Sequence, residues 1–161
     1  MKPLSLSTPD AKHLRIDGIS PLLAMCLQEL PAILEKRDSS AARHRLFPDP
    51  TRADAKANDD WQQHVAPELR HLFVSAGETV VRDLTALTGE TLTFPAEHAN
   101  AWMSALNQAR LILGELHEIT DHDMDPDNLD PRIPKQRAVL LIHLYGYLLQ
   151  LFVDHEQPGS V

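Results

Sequence analysis

Ala99-Asn100-Ala101-Trp102-Met103-Ser104-Ala105-Leu106-Asn107-Gln108-Ala109-Arg110-Leu111-Ile112-Leu113-Gly114 is the stretch whose reading decides the fold. Trp102, Met103, Leu106, Ala109 and Leu113 recur at spacings of three and four. One face of a 3.6-residue helix therefore carries them all, with Leu116 extending the stripe. Asn107 and Arg110 fall on the polar side. Pro95 opens the helix, and its expected span is 95–118. So broad an apolar stripe must be covered by other helices, and the chain supplies them on both sides.

Upstream, residues 67–87 carry a second stripe of Leu69, Leu72, Phe73, Ala76, Val80, Leu84 and Leu87. Gly77 sits mid-helix, where it costs about 1 kcal/mol relative to Ala; a close helix–helix approach would account for it. Gly89 ends that helix. Thr91-Leu92-Thr93-Phe94 then alternates as a short strand, expected to pair with a second alternating segment, Leu14-Arg15-Ile16. Ser20-Pro21 signals a helix start, with Ser as cap and Pro in the first turn. Leu22, Leu23, Met25, Cys26, Leu30, Ile33 and Leu34 give this helix an apolar face, and Pro31 should break it near Leu30. From 38 to 60 the composition turns to charges, Ala and Pro. There Leu46-Phe47-Pro48-Asp49-Pro50 reads as a surface connection anchored by a buried dipeptide, followed by a short helix over 53–64.

Downstream, residues 121–134 form an acidic loop interrupted by Pro126, Pro131 and Pro134. The last helix, 134–155, is apolar around most of its circumference, which suits the middle of a bundle or a subunit contact. Leu140, Leu144, Leu148 and Leu151 extend one apolar face, and Val139, Ile142 and Phe152 another. A homodimer through this helix is therefore a further expectation. The fold class read from these signals is mainly α: a single-domain helical bundle of about four principal helices with a small two-stranded β element. Residues 1–12 read as a flexible tail, 13–156 as the domain and 157–161 as a C-terminal tail.

Composition narrows the function classes. The chain has 161 residues, 43% of them hydrophobic, which is enough for a proper core. Aromatics make up 5%, so aliphatic side chains must fill most of it. A net charge of −8 argues against a surface built to neutralise phosphates, and against attraction to anionic membranes. Cys26 is the single cysteine, so no disulfide can form within one chain. The first eight residues lack a charged-then-apolar leader. The run 138–153 is interrupted by His143, Gly146 and Gln150, short of the ~20 apolar residues of a membrane span. A cytoplasmic protein with protein or small-molecule partners, and no cofactor, is the expectation.

Candidate chemical motifs are few. Asp121-His122-Asp123-Met124-Asp125-Pro126-Asp127 spaces carboxylates like a calcium loop, but Pro126 stands where the sharp turn needs Gly, and Arg132 where a bidentate Glu belongs. We read chance spacing in a solvated loop. His122-Asp123 resembles the His-Asp pair of metal-dependent phosphohydrolases, a chemistry that needs a further His and Asp, for which His98 and Asp154 are the nominees. This metal-dependent hydrolase is the alternative function. His117 and His122 are five apart, off the spacing of two ligands on one helical face, and read as helix-end histidines. His143 reads as a core histidine and Cys26 as a small core residue. Ser39, Ser40 and Ser75 lack a strand–turn–helix elbow, and no glycine-rich phosphate loop exists. Lys36, Arg37, Arg43, His44, Arg45 and Arg52 form a local basic cluster, balanced by Asp38, Asp49 and Asp54.

Several blocks together resemble a bacterial domain-of-unknown-function family named after the AosR oxidative-stress regulators of actinomycetes. They are Arg45-Leu46-Phe47-Pro48-Asp49 with Arg52; Leu92; Ala99-Asn100-Ala101-Trp102, Ala105-Leu106-Asn107, Arg110-Leu111 and Leu113-Gly114; and Tyr145, Leu149-Gln150 and Val153. The resemblance covers residues 19–154. Gln108 departs from it, standing where the family pattern has Asp, and Tyr145 stands where a Trp is usual. Redox sensing through a cysteine pair in one chain cannot operate with Cys26 alone. The resemblance implies a helical, non-enzymatic regulatory or adaptor protein acting through protein contacts, with transcription machinery or protein quality control as contexts. Arg43, Arg45, Phe47, Asp49 and Arg52, together with Asn107 and Arg110, are the expected partner-binding residues. For Asn107 and Arg110 the competing reading is that they tie neighbouring loops to the helix by hydrogen bonds.

Overall fold

Ser20 and Pro21 act as their order predicts. In the computed structural model of the chain, which describes residues 2–51 and 53–156, Ser20 Oγ accepts from the Leu23 amide at 3.1 Å. Pro21 begins α1 (Pro21–Gln28). The break expected near Leu30 is present: a separate helix, α2 (Leu30–Leu34), follows with Pro31 in its first turn, where a missing N–H costs nothing. A 3-10 turn (Glu35–Asp38) leads to α3 (Ser40–Leu46), α4 (Ala55–His64) and α5 (Ala66–Leu84). After strand β3 (Leu92–Pro95) come a 3-10 turn (Ala96–His98), α6 (Ala99–Leu116), a further 3-10 turn (Asp121–Met124) and α7 (Pro134–Glu156).

The sheet has three strands rather than two, in the order β1-β2-β3, all antiparallel. Between β2 (His13–Asp17) and β3 the expected pairing holds, with Leu14 opposite Phe94 and Ile16 opposite Leu92. The added strand, β1 (Ser5–Asp10), lies in what reads from sequence as a tail, and pairs Leu6 with Ile16. Gly18 makes room for that N-terminal segment. It adopts φ +80°, and a Cβ there would sit 2.4 Å from the Pro3 carbonyl oxygen, so only glycine fits. The C-terminal tail expected over 157–161 lies outside the described residues.

Trp102 ties the sheet to the helices. Fully buried, it stacks on Phe94 of β3 at 5.1 Å between ring centroids and on Phe152 of α7 at 6.1 Å. Leu106, Ala109 and Leu113 are buried with it, and Met103 and Leu116 are half-buried, so the stripe of α6 is the centre of the core. In α5, Ala76 and Val80 are buried as expected, and Gly77 meets Arg37 and Leu34 closely. Leu72 departs from its stripe at 64% exposed, since it sits at the edge of the face that Leu69, Phe73, Ala76 and Val80 turn to the core. Leu46 and Phe47 are buried as expected, with Phe47 against Phe73 at 5.5 Å.

By length and a mean hydropathy of 1.3, α7 reaches the range of a membrane span, although its sequence reads as falling short of one. Its apolar faces are occupied within this chain: Val139, Ile142, Tyr145, Leu148 and Phe152 are all buried, packed chiefly on α6. Most of the side chains expected to meet a second copy thus belong to the protein's own core. Tyr147 and Val153 are the large apolar side chains that α7 leaves exposed.

Candidate functional site

The basic turn at the end of α3 is built by its cap. Ser39 Oγ accepts from the Ala42 amide at 3.3 Å, and the helix then carries Arg43, His44 and Arg45 in its last turn, where positive charge complements the exposed carbonyls. Leu46 and Phe47 turn inward and fix this end to the core. Arg43 stays exposed and forms no ion pair among the described residues. It borders a groove of about 230 Å³ whose other walls are Asp38, Phe47, Gln62, Pro67 and Arg70. Gln62 Nε2 donates to the Phe47 carbonyl at 3.2 Å and to Asp49 Oδ1 at 3.0 Å, which pins the connection after α3 onto α4. Across the groove Arg70 grips Asp38, Nε to Oδ1 at 3.0 Å, and this pairing holds the Asp38 carboxyl below the usual carboxylate range. Pro67 also lines an adjoining ledge with Glu68, His71 and Leu72, and Val65 nearby is exposed.

The structure brings only part of the expected surface together. Arg43, Phe47 and Asp49 share this region, but Phe47 is its buried floor rather than a contact residue. Arg45 turns toward α6, 3.9 Å from Glu115, beside His44 at 3.8 Å from the same carboxylate. Arg52 lies outside the described residues. The Asn107 side chain is exposed and hydrogen-bonds to no described residue, whereas Arg110 lies over Gly146 of α7. Helical geometry explains the split: Arg110 and Glu115 fall on opposite edges of the exposed strip of α6, so one meets α7 and the other α3. Arg110 packs against α7 without a hydrogen bond among the described residues, and Asn107 stands apart from the α3 groove.

The sequence reading misses the burial of three polar groups among the described residues, Arg37, Asp83 and Gln108. Gln108, 2% exposed, receives Arg37 Nη2 at 3.3 Å and Nε at 3.4 Å, and gives its amide to the Phe73 carbonyl at 3.2 Å and Ser104 Oγ at 3.1 Å. Arg37 is itself 8% exposed, and burial lowers its pKa. Further along the contact between α5 and α6, the buried carboxylate of Asp83 accepts from Trp102 Nε1 and lies at the same distance, 2.9 Å, from His98 Nδ1. A signal for Gln108 exists in hindsight, since it lies between Ala105 and Ile112 on the covered side of α6. Asp83 is likewise three residues past Val80.

The His122-Asp123 pair is committed locally. Asp123 Oδ2 accepts from the Thr120 amide at 2.8 Å and the Thr120 hydroxyl at 2.9 Å, forming a capping box, and Lys135 Nζ lies 3.2 Å away. The amide hydrogen bond, with help from the hydroxyl and Lys135, pulls the Asp123 pKa down to about 2. The two nominated partners lie elsewhere, His98 on Asp83 and Asp154 accepting from Gln150. Among the described residues no three His, Cys, Asp or Glu side chains gather as a metal site would require. His143 is exposed rather than in the core, its Nε2 2.9 Å from the Met124 carbonyl. Cys26 is buried as expected, and desolvation pushes its thiol pKa up.

No curated protein and no solved structure matches the chain. Residues 7–155 match a family described as Domain of unknown function (DUF2017), a span that includes all three strands of the sheet, in whole or part, and every helix from α1 to α6. The match takes in the Trp102 helix, the Leu46–Phe47 anchor and nearly all of α7, and on that extent the chain belongs to this family.

Proposed function

We propose that the protein is a non-enzymatic regulatory or adaptor module that docks a protein partner on the surface between α3 and α5. One observation carries this reading. Arg43 is an exposed cation without an ion-pair partner among the described residues, and its groove continues through Pro67 onto the exposed Leu72. A cation beside the exposed apolar side chains of Pro67 and Leu72 suits a partner segment with an acidic residue for Arg43 and an apolar one for Leu72, because the ion pair sets register while the apolar contact supplies buried area. Kinship with the AosR-type oxidative-stress regulators, and a bacterial source, belong to the same proposal. A redox signal in this chain would have to act without an internal cysteine pair, since Cys26 stands alone.

Affinity capture from the native host tests the surface. Partners held by the wild-type protein should be lost from Arg43→Glu and from Leu72→Asp. They should be kept by Arg132→Glu, a change at an exposed side chain far along the chain in the loop before α7. Retention of every partner by both groove variants would overturn the assignment.

A further inference from the structure

A second groove, of about 680 Å³, runs between α2 and α5, with Pro31, Leu34, Val74 and Val81 as apolar walls and Arg37 at its base. Arg37 is the unusual element. A guanidinium largely withdrawn from water needs an anion or a full set of acceptors. Among the described residues Arg37 hydrogen-bonds only to the neutral Gln108 amide oxygen, at 3.3 and 3.4 Å, while the Asp38 and Glu78 carboxylates act on it only through space. Asp38 is the adjacent carboxylate, but Arg70 holds both of its oxygens. Gln108 takes the Nε–Nη2 side of the fork, which leaves the Nη1–Nη2 end available to another acceptor. Gly77 makes the arrangement possible, since a Cβ there would stand 3.0 Å from Arg37 Nη2.

We propose that this groove binds a small carboxylic acid with an apolar body, its carboxylate on the end of the Arg37 fork and its body against Leu34, Val74 and Val81. The planar fork matches a carboxylate bidentately, and the apolar walls account for the body. Glu35, Glu78 and Arg82 also line the groove, so its ionic lining is balanced, and the apolar walls are what favour an acid with an apolar body over inorganic phosphate. The site is separate from the α3 surface and stands whether or not that surface docks a partner.

Titration of the full chain with phenylacetate, followed by amide chemical shifts, tests the site. Saturable shifts are expected at Gly77 and Val81, with none from phenylacetamide. Arg37→Gln should weaken binding by at least about tenfold, the low end for loss of a charged hydrogen-bond partner. Should Arg37→Gln lose its helical circular dichroism, Val81→Glu at the exposed rim takes its place and should bring the same loss. Absence of saturable shifts, equal binding of the amide, tighter binding of inorganic phosphate, or unchanged affinity in either folded variant would each overturn the proposal.

Discussion

The guanidinium of Arg110 lies against Gly146, so that a Cβ at position 146 would stand 3.3 Å from its Nε and 3.4 Å from its Cζ. This contact seats α6 on α7, the most extensive helix pair in the fold. It also leaves Arg110 Nε buried without a partner. The expected outcome is that Gly146→Val costs about 1–3 kcal/mol through overpacking, and that most of this cost disappears in an Arg110→Ala background. A double-mutant cycle by chemical denaturation reads the coupling, and additive costs would mean that the two residues do not interact.

Asp83 serves the indole of Trp102 and the ring of His98 with one carboxylate. Asp83→Leu should destabilise by about 1–3 kcal/mol, because the buried indole N–H loses its acceptor. Asp83→Asn, which keeps one oxygen, should cost less. Near-ultraviolet circular dichroism should report loosening of the Phe94–Trp102–Phe152 stack in the Leu variant, and a wild-type spectrum with wild-type stability would refute the role.

Acid should release the turn before α7. The folded pKa of Asp123, about 2, lies below its ordinary 3.8. Its contribution is therefore complete above about pH 3.8 and is lost as pH falls through about 2. A carboxyl titration by nuclear magnetic resonance should place the Asp123 midpoint near 2, and Thr120→Val should move it upward. A midpoint at the ordinary value in the wild-type protein would contradict the capping box.

Cys26 should be a poor redox sensor. The thiolate is the reactive form, and burial both covers the sulfur and raises its pKa. Reaction with a disulfide reagent at neutral pH should run at least about tenfold slower in the folded protein than in denaturant, since it must await local opening. Equal rates would place the thiol at the surface.

Much of the architecture is legible in the order of apolar letters. Trp102, Leu106 and Leu113 announce α6, Ser20-Pro21 announces α1, and Leu14 with Ile16 finds Leu92 and Phe94 across the sheet. What escapes is whatever apolar periodicity does not encode. β1 is an edge strand that is mostly exposed, so Ser5, Ser7 and Thr8 show no sign of it. Leu72 follows the α5 stripe by spacing, yet it lies at the edge of that stripe and stays in solvent. Arg37, Asp83 and Gln108 are polar letters whose burial depends on partners remote in sequence, and their pairings become visible only once α2, α5 and α6 meet. The basic cluster is legible as a group, but which of its members faces solvent is decided by Leu46 and Phe47 turning inward.

β2 and β3 are neighbours in the sheet, yet everything from α1 to α5 lies between them in the chain. During synthesis the bonds joining Leu14 to Phe94 must wait until five helices have left the ribosome. Until then the β1–β2 hairpin is a two-stranded ribbon of marginal stability. Closing so long a loop carries an entropic cost that non-local contacts repay only afterwards. Trp102 follows β3 directly and supplies that repayment by stacking on Phe94. The sheet thus closes late, once α6 has arrived, and the core is completed only when α7 follows with Phe152 for the other side of Trp102.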